Sequence, residues 1–278
     1  MMRESLFHLR ASRLPPPASL RFVRGHRGTG RIVAAIGVVV ASAVFATGCD
    51  KAVGSEPKNQ GHSYIVGIDI SGSRNKTELD ESKKLLDGLI DKLQAGDHLT
   101  LIEAYQGGRI PARQWSDSIR APRNGKPTAS DNRRVEDFKT IARIQTSILF
   151  DSARAKGIMS TDIFGTLSRA ADYAKASRNR PTTLLLLSDM MNETPDVTMT
   201  DEQGIPGNTW IRQRVVANRI PRLQGVCVVV AGADVSTSRG AAIRDFWDKY
   251  FEAAGTRVAP DNYRNMISDP SEVACSGQ

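Results

Sequence analysis

The sequence is poor in histidine and cysteine, which limits the kinds of active site that it can build. Only 4 histidines and 3 cysteines occur among 278 residues. His8 and His26 lie within the first 48 residues, an N-terminal segment with the features of a targeting signal, so a catalytic dyad or triad based on histidine is poorly supplied. Cys227 and Cys275 are 48 positions apart and have no pair of histidines nearby, which argues against a zinc site.

Beyond residue 48 the sequence also lacks an excess of either charge. The whole chain has 38 Lys and Arg against 30 Asp and Glu, a formal net charge of +8. Seven arginines and one acid, Glu4, lie within residues 1–48, which leaves 31 basic and 29 acidic residues in the remainder. A nearly neutral remainder gives no sign of nucleic-acid binding, so we expect no nucleic-acid partner.

An apolar run long enough to span a membrane is missing as well. Residues 32–47 are uncharged over 16 positions, whereas a transmembrane helix needs roughly 20. An arginine-rich stretch precedes this run, and the combination is typical of a signal peptide. The run ends in Ala46-Thr47-Gly48-Cys49, which resembles the lipobox of bacterial lipoproteins. In that family the cysteine is acylated and becomes the first residue of the mature protein.

This resemblance implies a division of the N-terminal region. Residues 1–48 would be a lipoprotein signal peptide, and residues 49–61 would comprise the lipidated Cys49 and a polar tether. The protein would then lie in the bacterial cell envelope, held by its lipid anchor on the periplasmic side of a membrane. Asp50 is the residue type that retains enterobacterial lipoproteins in the inner membrane, so that membrane is one possible location. A plain secretory signal and an uncleaved anchor are the alternatives.

Residues 62–278 alternate between short apolar runs and amphipathic segments. The runs show no in-out alternation, which indicates strands buried on both faces and therefore a parallel sheet. They occupy residues 63–70, 98–104, 182–187 and 225–231. Helical spacing marks four other groups of apolar residues: Leu79, Leu85, Leu86, Leu89, Ile90 and Leu93; Val135, Phe138, Ile141, Ile148 and Leu149; Ile163, Leu167, Ala170, Ala171 and Ala174; and Ile243, Phe246, Trp247, Tyr250 and Phe251.

One segment departs from the order of strand followed by helix. A Gly-Gly turn at residues 106–109 leads into a weaker strand candidate at residues 112–119, which predicts an antiparallel hairpin at one edge. The sequence therefore predicts a doubly wound α/β domain. We expect a mostly parallel sheet with one antiparallel edge strand and with helices on both faces.

Polar side chains follow the predicted strands at the edge where such sheets bind ligands. Asp69, Ser71 and Ser73 follow the first apolar run, and Asp189 follows the third. Thr161 lies just before the third helical segment. We expect these five side chains to meet at the rim of the domain, where they would offer a set of hard oxygen donors.

These residues resemble the metal-ion-dependent adhesion site of the von Willebrand factor type A family. Asp69, Ser71 and Ser73 match the family's Asp-x-Ser-x-Ser motif, Thr161 matches its loop threonine, and Asp189 matches its aspartate after the fourth strand. The resemblance implies that they bind Mg²⁺ or Mn²⁺, since carboxylates and hydroxyls suit such hard cations. It also implies a non-catalytic domain whose cation accepts an acidic side chain from a protein partner.

The resemblance covers residues 62–260 and has one departure. Thr161 follows Asp69 by 92 positions, a longer separation than in compact members of the family. The surplus lies within residues 111–157, so the sequence defines the loop around Thr161 less well than the rest of the site.

Two other functions stay open from the residues alone. The five side chains could be turn and helix-capping residues of a domain that serves as a metal-free interaction scaffold. An exported metal-dependent hydrolase is the second alternative. However, Ser71 stands where haloacid-dehalogenase-type phosphatases have their second aspartate, and no Gly-x-x-x-x-Gly-Lys phosphate loop is present.

The two cysteines beyond Cys49 also allow two interpretations. In an exported protein Cys227 and Cys275 could form one disulfide. Alternatively, Cys227 is a small buried hydrophobe within its apolar run.

Overall fold

The computed structural model describes residues 61–105, 112–123, 125–156 and 160–275. The predicted signal peptide, Cys49, residues 50–60 of the tether and the turn at residues 106–109 lie outside these ranges. None of the helices in these ranges combines the length and the apolar composition that a membrane span requires.

The described residues form a six-stranded sheet, a two-stranded ribbon and five α-helices. The strands are β1 (Ser63–Ile68), β2 (His98–Glu103), β3 (Gln114–Ser118), β4 (Thr182–Leu187), β5 (Glu193–Thr194), β6 (Val197–Thr198), β7 (Val226–Ala231) and β8 (Tyr263–Arg264). The α-helices are α1 (Lys76–Lys92), α2 (Ala129–Lys156), α3 (Ile163–Ala176), α4 (Asn208–Val216) and α5 (Ser238–Ala253).

The sheet has the strand order β3-β2-β1-β4-β7-β8. All of its neighbouring pairs are parallel except β2 with β3, which places the one antiparallel strand at an edge. Each residue of β4 and β7 is buried, as expected for strands covered by helices on both faces. The predicted doubly wound α/β architecture is confirmed.

Each face of the sheet has its own hydrophobic core. On one face α3, α4 and α5 pack over residues such as Ile65, Leu186 and Val228. On the other face α1 and α2 pack over the alternate residues of the same strands, such as Val66, Leu187 and Val229. The aromatic stripe of α5 is buried in the first core, so its helical spacing reflects packing.

Helix α2 fills the surplus sequence before Thr161 and corrects one expectation. Its buried apolar residues, among those whose side chains are described, are Phe138, Ala142, Leu149 and Phe150. By contrast, Ile141 and Ile148, which we expected in the apolar stripe, are 45% and 44% exposed. The helix covers the edge of the sheet next to β3, where Trp115 stacks on Phe138. An edge helix has only a narrow face in contact with the sheet, so apolar residues outside that face remain exposed.

Three short elements have no counterpart in the sequence pattern. Helix α4 has a single buried apolar residue, Ile211, so it shows no amphipathic stripe. Strand β8 and the β5–β6 ribbon have two residues per strand, too few for any periodicity. These elements are positioned by tertiary contacts.

A disulfide joins Cys227 of β7 to Cys275 in the C-terminal segment. This segment packs along α1, where the ring of Pro270 lies over Gly88. A Cβ at Gly88 would come within 2.5 Å of the Pro270 Cγ, so the position leaves no space for a larger residue. The ion pair between Lys92 and Asp269 lies beside this contact.

We predict that Cys275→Ser lowers the free energy of unfolding by about 4 kcal/mol, because the disulfide closes a loop of 48 residues in the unfolded chain. Urea unfolding of the purified chain measures the loss. Addition of a reductant to the wild type should give the same loss and should leave the variant unchanged. Equal stability of the variant and the oxidised wild type would contradict the prediction.

Candidate functional site

The candidate site begins where β1 ends. The backbone N–H of Asp69 donates to the Leu187 carbonyl at 3.0 Å, so the pairing of β1 with β4 continues one residue beyond the strand. The chain then turns through residues 70–74, and α1 begins after Asn75, which forms a capping box with Glu78. The cap fixes the end of this turn and therefore the position of its two serines.

Asp69 is fully buried, in contrast to the rim position that we expected. Its Oδ1 accepts hydrogen bonds from the Ser71 backbone N–H at 3.0 Å and from the Thr161 hydroxyl at 3.2 Å. Its Oδ2 accepts one from the Ser188 hydroxyl at 2.8 Å. These bonds tie together three loops that follow or precede different elements of the sheet.

The remaining predicted residues lie beside this hydrogen-bond network. The hydroxyls of Ser71 and Ser73 are 2.9 Å apart, and Ser73 is close enough to the Asp189 carboxyl to lower its pKa. Ser73 is exposed and Asp189 is half-buried, so this end of the network reaches the surface. The structure thus brings together all five side chains that the sequence singled out.

Burial and the negative charge of Asp69 raise the pKa of two neighbouring carboxyl groups of the site. Burial, followed by the negative charge of Asp69, raises the pKa of Asp189 to about 7, although hydrogen bonds from the Met191 backbone and Ser73 and the charge of Arg74 oppose this. Burial and then Asp69 also raise the pKa of Glu193. The site is therefore an edge of the sheet with excess negative charge.

The buried Arg74 is a cationic side chain whose charge acts on Asp189, but its hydrogen bonds are made to other groups. Its Nη1 donates to the carbonyls of Asp69 at 3.3 Å and Leu187 at 3.1 Å. Its Nη2 donates to the Ser82 hydroxyl at 2.9 Å. The guanidinium thus donates to backbone carbonyls at the ends of β1 and β4. In the described part of the chain, no hydrogen bond joins it to the carboxylates of Asp69 or Asp189.

The loop that carries Thr161 is fixed from several directions. Thr161 pairs with Tyr105 in an isolated β-bridge, and its carbonyl accepts from the Glu193 N–H at 2.8 Å. The next residue, Asp162, is the N-cap of α3 and accepts from the Gly165 N–H at 2.7 Å. The side chain of Asn192 accepts from the Ile163 N–H at 3.0 Å, which joins this loop to the one after β4.

The loop after β4 contains a backbone conformation that favours glycine. Met190 has a φ of 64° and is completely buried, a combination that costs conformational energy. Its N–H donates to the Ser188 hydroxyl, and its carbonyl accepts from the indole Nε1 of Trp247 at 2.8 Å. Trp247 also packs against Phe164 of α3, with ring centroids 5.0 Å apart. One core side chain therefore supports the loop after β4 and the first turn of α3, which follows the loop of Thr161.

The donor set of this edge fits a hard divalent cation. Two carboxylates and three hydroxyls converge there, and oxygen ligands of these types suit Mg²⁺ and Mn²⁺. Within the described ranges no group of three or more His, Cys, Asp and Glu side chains is placed to bind a metal. A site that combines two carboxylates with hydroxyls does not require such a group.

The sequence analysis did not identify three residues that support the site. Ser188 directly follows an apolar run, but its bond to Asp69 depends on the register of β4 against β1. Arg74 carried no signal beyond its charge, and Trp247 looked like any other member of the α5 stripe. Their roles arise from contacts between elements distant in the sequence.

No family model matches this chain, and no curated protein matches it. Among solved structures, similar chains include proximal thread matrix protein 1 from the mussel byssus, with 16% identity over 76% of this chain and a TM-score of 0.39. Another is an aerotolerance-related membrane protein from Bacteroides fragilis, with 11% identity over 76% of this chain and 95% of that chain, and a TM-score of 0.40. A third is a von Willebrand factor type A structure from Catenulispora acidiphila, with 17% identity over 70% of this chain and a TM-score of 0.34.

This chain spans 45% of the mussel protein and 43% of the Catenulispora chain. All three likenesses are weak. The function proposed below therefore rests on the geometry of the site.

We predict that Trp247→Phe lowers the free energy of unfolding by at least about 1–3 kcal/mol, because it leaves the buried Met190 carbonyl without its donor. Denaturant unfolding measures this, and amide exchange should rise in residues 188–192. The matched control is Tyr263→Phe, which removes a buried hydroxyl that has no hydrogen-bond partner among the described residues. We expect little or no loss for the control, and equal losses in both variants would refute the role assigned to Trp247.

Proposed function

We propose that this chain is an exported, membrane-anchored domain that binds a protein partner through a divalent cation. The observation that carries the proposal is the convergence of the five predicted side chains at the carboxyl edge of the sheet. Four of them share one hydrogen-bond network: Asp69, Ser71, Ser73 and Thr161. Asp189 lies close enough for Asp69 and Ser73 to affect its pKa. Oxygen donors from three separate loops meet there. Turn and capping residues with only local roles would have no reason to converge.

The five side chains would hold Mg²⁺ or Mn²⁺, and the bound cation would supply a positive charge able to accept a carboxylate from the partner. The negative charges of Asp69 and Asp189 attract a cation to this edge. The exposed hydroxyl of Ser73 marks the side from which a cation and a partner's acidic side chain would approach. The buried Asp69 and Thr161 would hold the inner side of the site.

The resemblance to the von Willebrand factor type A family supports this proposal through the position of each motif. Asp69 directly follows β1, and Asp189 follows β4 by two residues. Thr161 precedes α3 and lies within hydrogen-bond distance of Asp69. These are the places in which that family has its adhesion-site residues.

A metal-free interaction scaffold is the second candidate. One observation favours it: the Asp69 carboxylate already accepts three hydrogen bonds, from Ser71, Thr161 and Ser188, and so has partners without a cation. For a hydrolase no comparable observation exists. The described ranges contain only two histidines, His62 and His98. They lie at the starts of β1 and β2, at the edge of the sheet opposite the candidate site.

Membrane anchoring is proposed from the sequence alone. It rests on the resemblance of Ala46-Thr47-Gly48-Cys49 to a lipobox after an uncharged run of 16 residues. Acylation of Cys49 would hold the domain at the periplasmic side of a bacterial membrane. The aspartate at position 50 is consistent with the inner membrane.

We predict that Mg²⁺ or Mn²⁺ stabilises the chain against thermal unfolding and that Asp189→Asn abolishes this effect. A cation that binds only the folded state contributes about 1.4 kcal/mol at a concentration about ten times its Kd. Asn keeps an oxygen that can accept from the Met191 N–H at 2.9 Å, so the variant should fold. Thermal unfolding with and without the cation, together with titration calorimetry, measures the effect.

Asp162→Asn is the matched control for this experiment. Asp162 is also half-buried, also accepts a backbone N–H, and lies next to Thr161, yet it serves as the cap of α3, a role that Asn can fill. The control should keep cation binding and any cation-dependent capture of a partner from membrane extracts. If the wild type shows neither stabilisation nor heat of binding at millimolar Mg²⁺, the metal-free scaffold is the better assignment.

We predict that Cys49→Ser blocks processing or releases the protein from the membrane fraction, because serine lacks the thiol that is acylated. Fractionation of cells and the intact mass of the mature chain test this. The lipobox family prefers leucine at the position of Ala46, so the variant Ala46→Leu should keep the protein in the membrane. An unmodified mature N-terminus at any other residue would overturn the assignment.

A further inference from the structure

A large basic cleft lies at the edge of the sheet opposite the candidate cation site. Its volume is about 770 Å³, and Thr182 and Val226, the first residues of β4 and β7, form part of its floor. The end of α3 forms one side, and residues 218–225 form the other. Clefts of this size accommodate small organic ligands or head groups.

The cleft is lined by five cationic side chains and one carboxylate, that of Asp172. The cations are Lys175, Arg178, Arg180, Arg219 and Arg222. Within the described ranges, none of the five forms an ion pair. Arg180 donates to the Gly96 carbonyl at 3.0 Å, whereas the other four are exposed. Unpaired cations around a concave surface give it a positive potential that attracts anions.

The backbone that carries these cations is held in place. Leu223 is completely buried between Arg222 and Gln224, and its N–H donates to the Ala254 carbonyl at 2.8 Å. The preceding turn has Asn218 at a φ of 52°, a left-handed conformation that asparagine tolerates. A fixed backbone lowers the conformational cost of binding a ligand.

The cleft lies beside the point where the chain comes from its proposed anchor. The N–H of Ser63, the first residue of β1, donates to the Pro181 carbonyl at 2.9 Å, next to Thr182 in the cleft. Cys49 precedes Gly61 by 12 residues, which even fully extended reach only about 40 Å. An anchor at Cys49 would therefore keep this edge of the sheet within about 40 Å of the membrane surface.

We propose that this cleft binds the phosphate groups of anionic phospholipids in the membrane to which the chain is attached. The proposal uses the membrane anchoring proposed above and is independent of the cation site. One guanidinium group can donate two parallel hydrogen bonds to a phosphate. Basic residues close to an anionic membrane are also attracted to its surface. Since the parallel strands place the cation site at the other edge, the domain would rest on the membrane with that site directed outward.

The test uses the processed chain extracted from membranes in a neutral detergent, so that the arginine-rich residues before Cys49 are absent. The detergent and added EDTA ensure that neither membrane insertion nor a cation affects the result. Dihexanoyl phosphatidylglycerol is titrated in, with dihexanoyl phosphatidylcholine in parallel, and binding is measured by calorimetry. We expect saturable binding of the anionic lipid alone. Arg178→Glu with Arg222→Glu should weaken it at least about tenfold.

A double variant elsewhere on the surface is the matched control. Lys84→Glu with Arg239→Glu changes the net charge by the same amount, and both residues are exposed and outside the cleft. This control should bind the lipid like the wild type. The proposal would be overturned if both double variants lost the same affinity or if the two lipids bound equally well. It would also be overturned if glycerol phosphate bound as tightly as the anionic lipid, because the ligand would then be a free phosphate compound.

Discussion

The parallel pairing of β1 between β2 and β4 is the constraint on which the rest of this structure depends. Ile68, the last residue of β1, pairs with Leu187, the last residue of β4, so both strands end at the same level. The residues that follow, Asp69 on one strand and Ser188 on the other, therefore meet at one edge. A shift of the register by one residue would turn both core faces over and would separate Asp69 from Ser188.

Burial of Asp69 next to a second carboxyl group is energetically unfavourable, and the surrounding structure has to compensate for it. Hydrogen bonds from Ser71, Thr161 and Ser188 stabilise the charge of Asp69. Asp189 has fewer such bonds among the described residues, and its pKa is raised by burial and then by the charge of Asp69. The same bonds fix the positions of three loops. The buried charge of Asp69 is thus unfavourable in itself but holds the loops of this edge in place. Functional sites commonly combine these two properties.

The fold could be predicted from the sequence because its signals are local. Continuous apolar runs indicated the parallel strands, and the Asp-x-Ser-x-Ser motif indicated where the first of them ends. The burial of Asp69, the role of Arg74 at the strand ends, and the support of Met190 by Trp247 depend on contacts between distant segments. They could not be deduced from periodicity. The exposed Ile141 and Ile148 of α2 show the converse: spacing identified the helix but could not reveal how narrow its buried face would be.

The basic cleft escaped the sequence analysis for a related reason. Residues after position 48 are almost electrically neutral as a set, and a balanced composition hides how the charges are distributed in space. Parallel strands separate the sheet into two unlike edges, because every β-to-α loop is at one edge and every α-to-β loop is at the other. Acidic residues of the first kind of loop, such as Asp69 and Asp189, collect at the carboxyl edge, and arginines of the second kind, such as Arg178 and Arg222, collect at the opposite one. A nearly neutral composition is therefore compatible with a carboxylate pair at one edge of the sheet and a basic cleft at the other, and the direction of the strands assigns each group of loops to its edge.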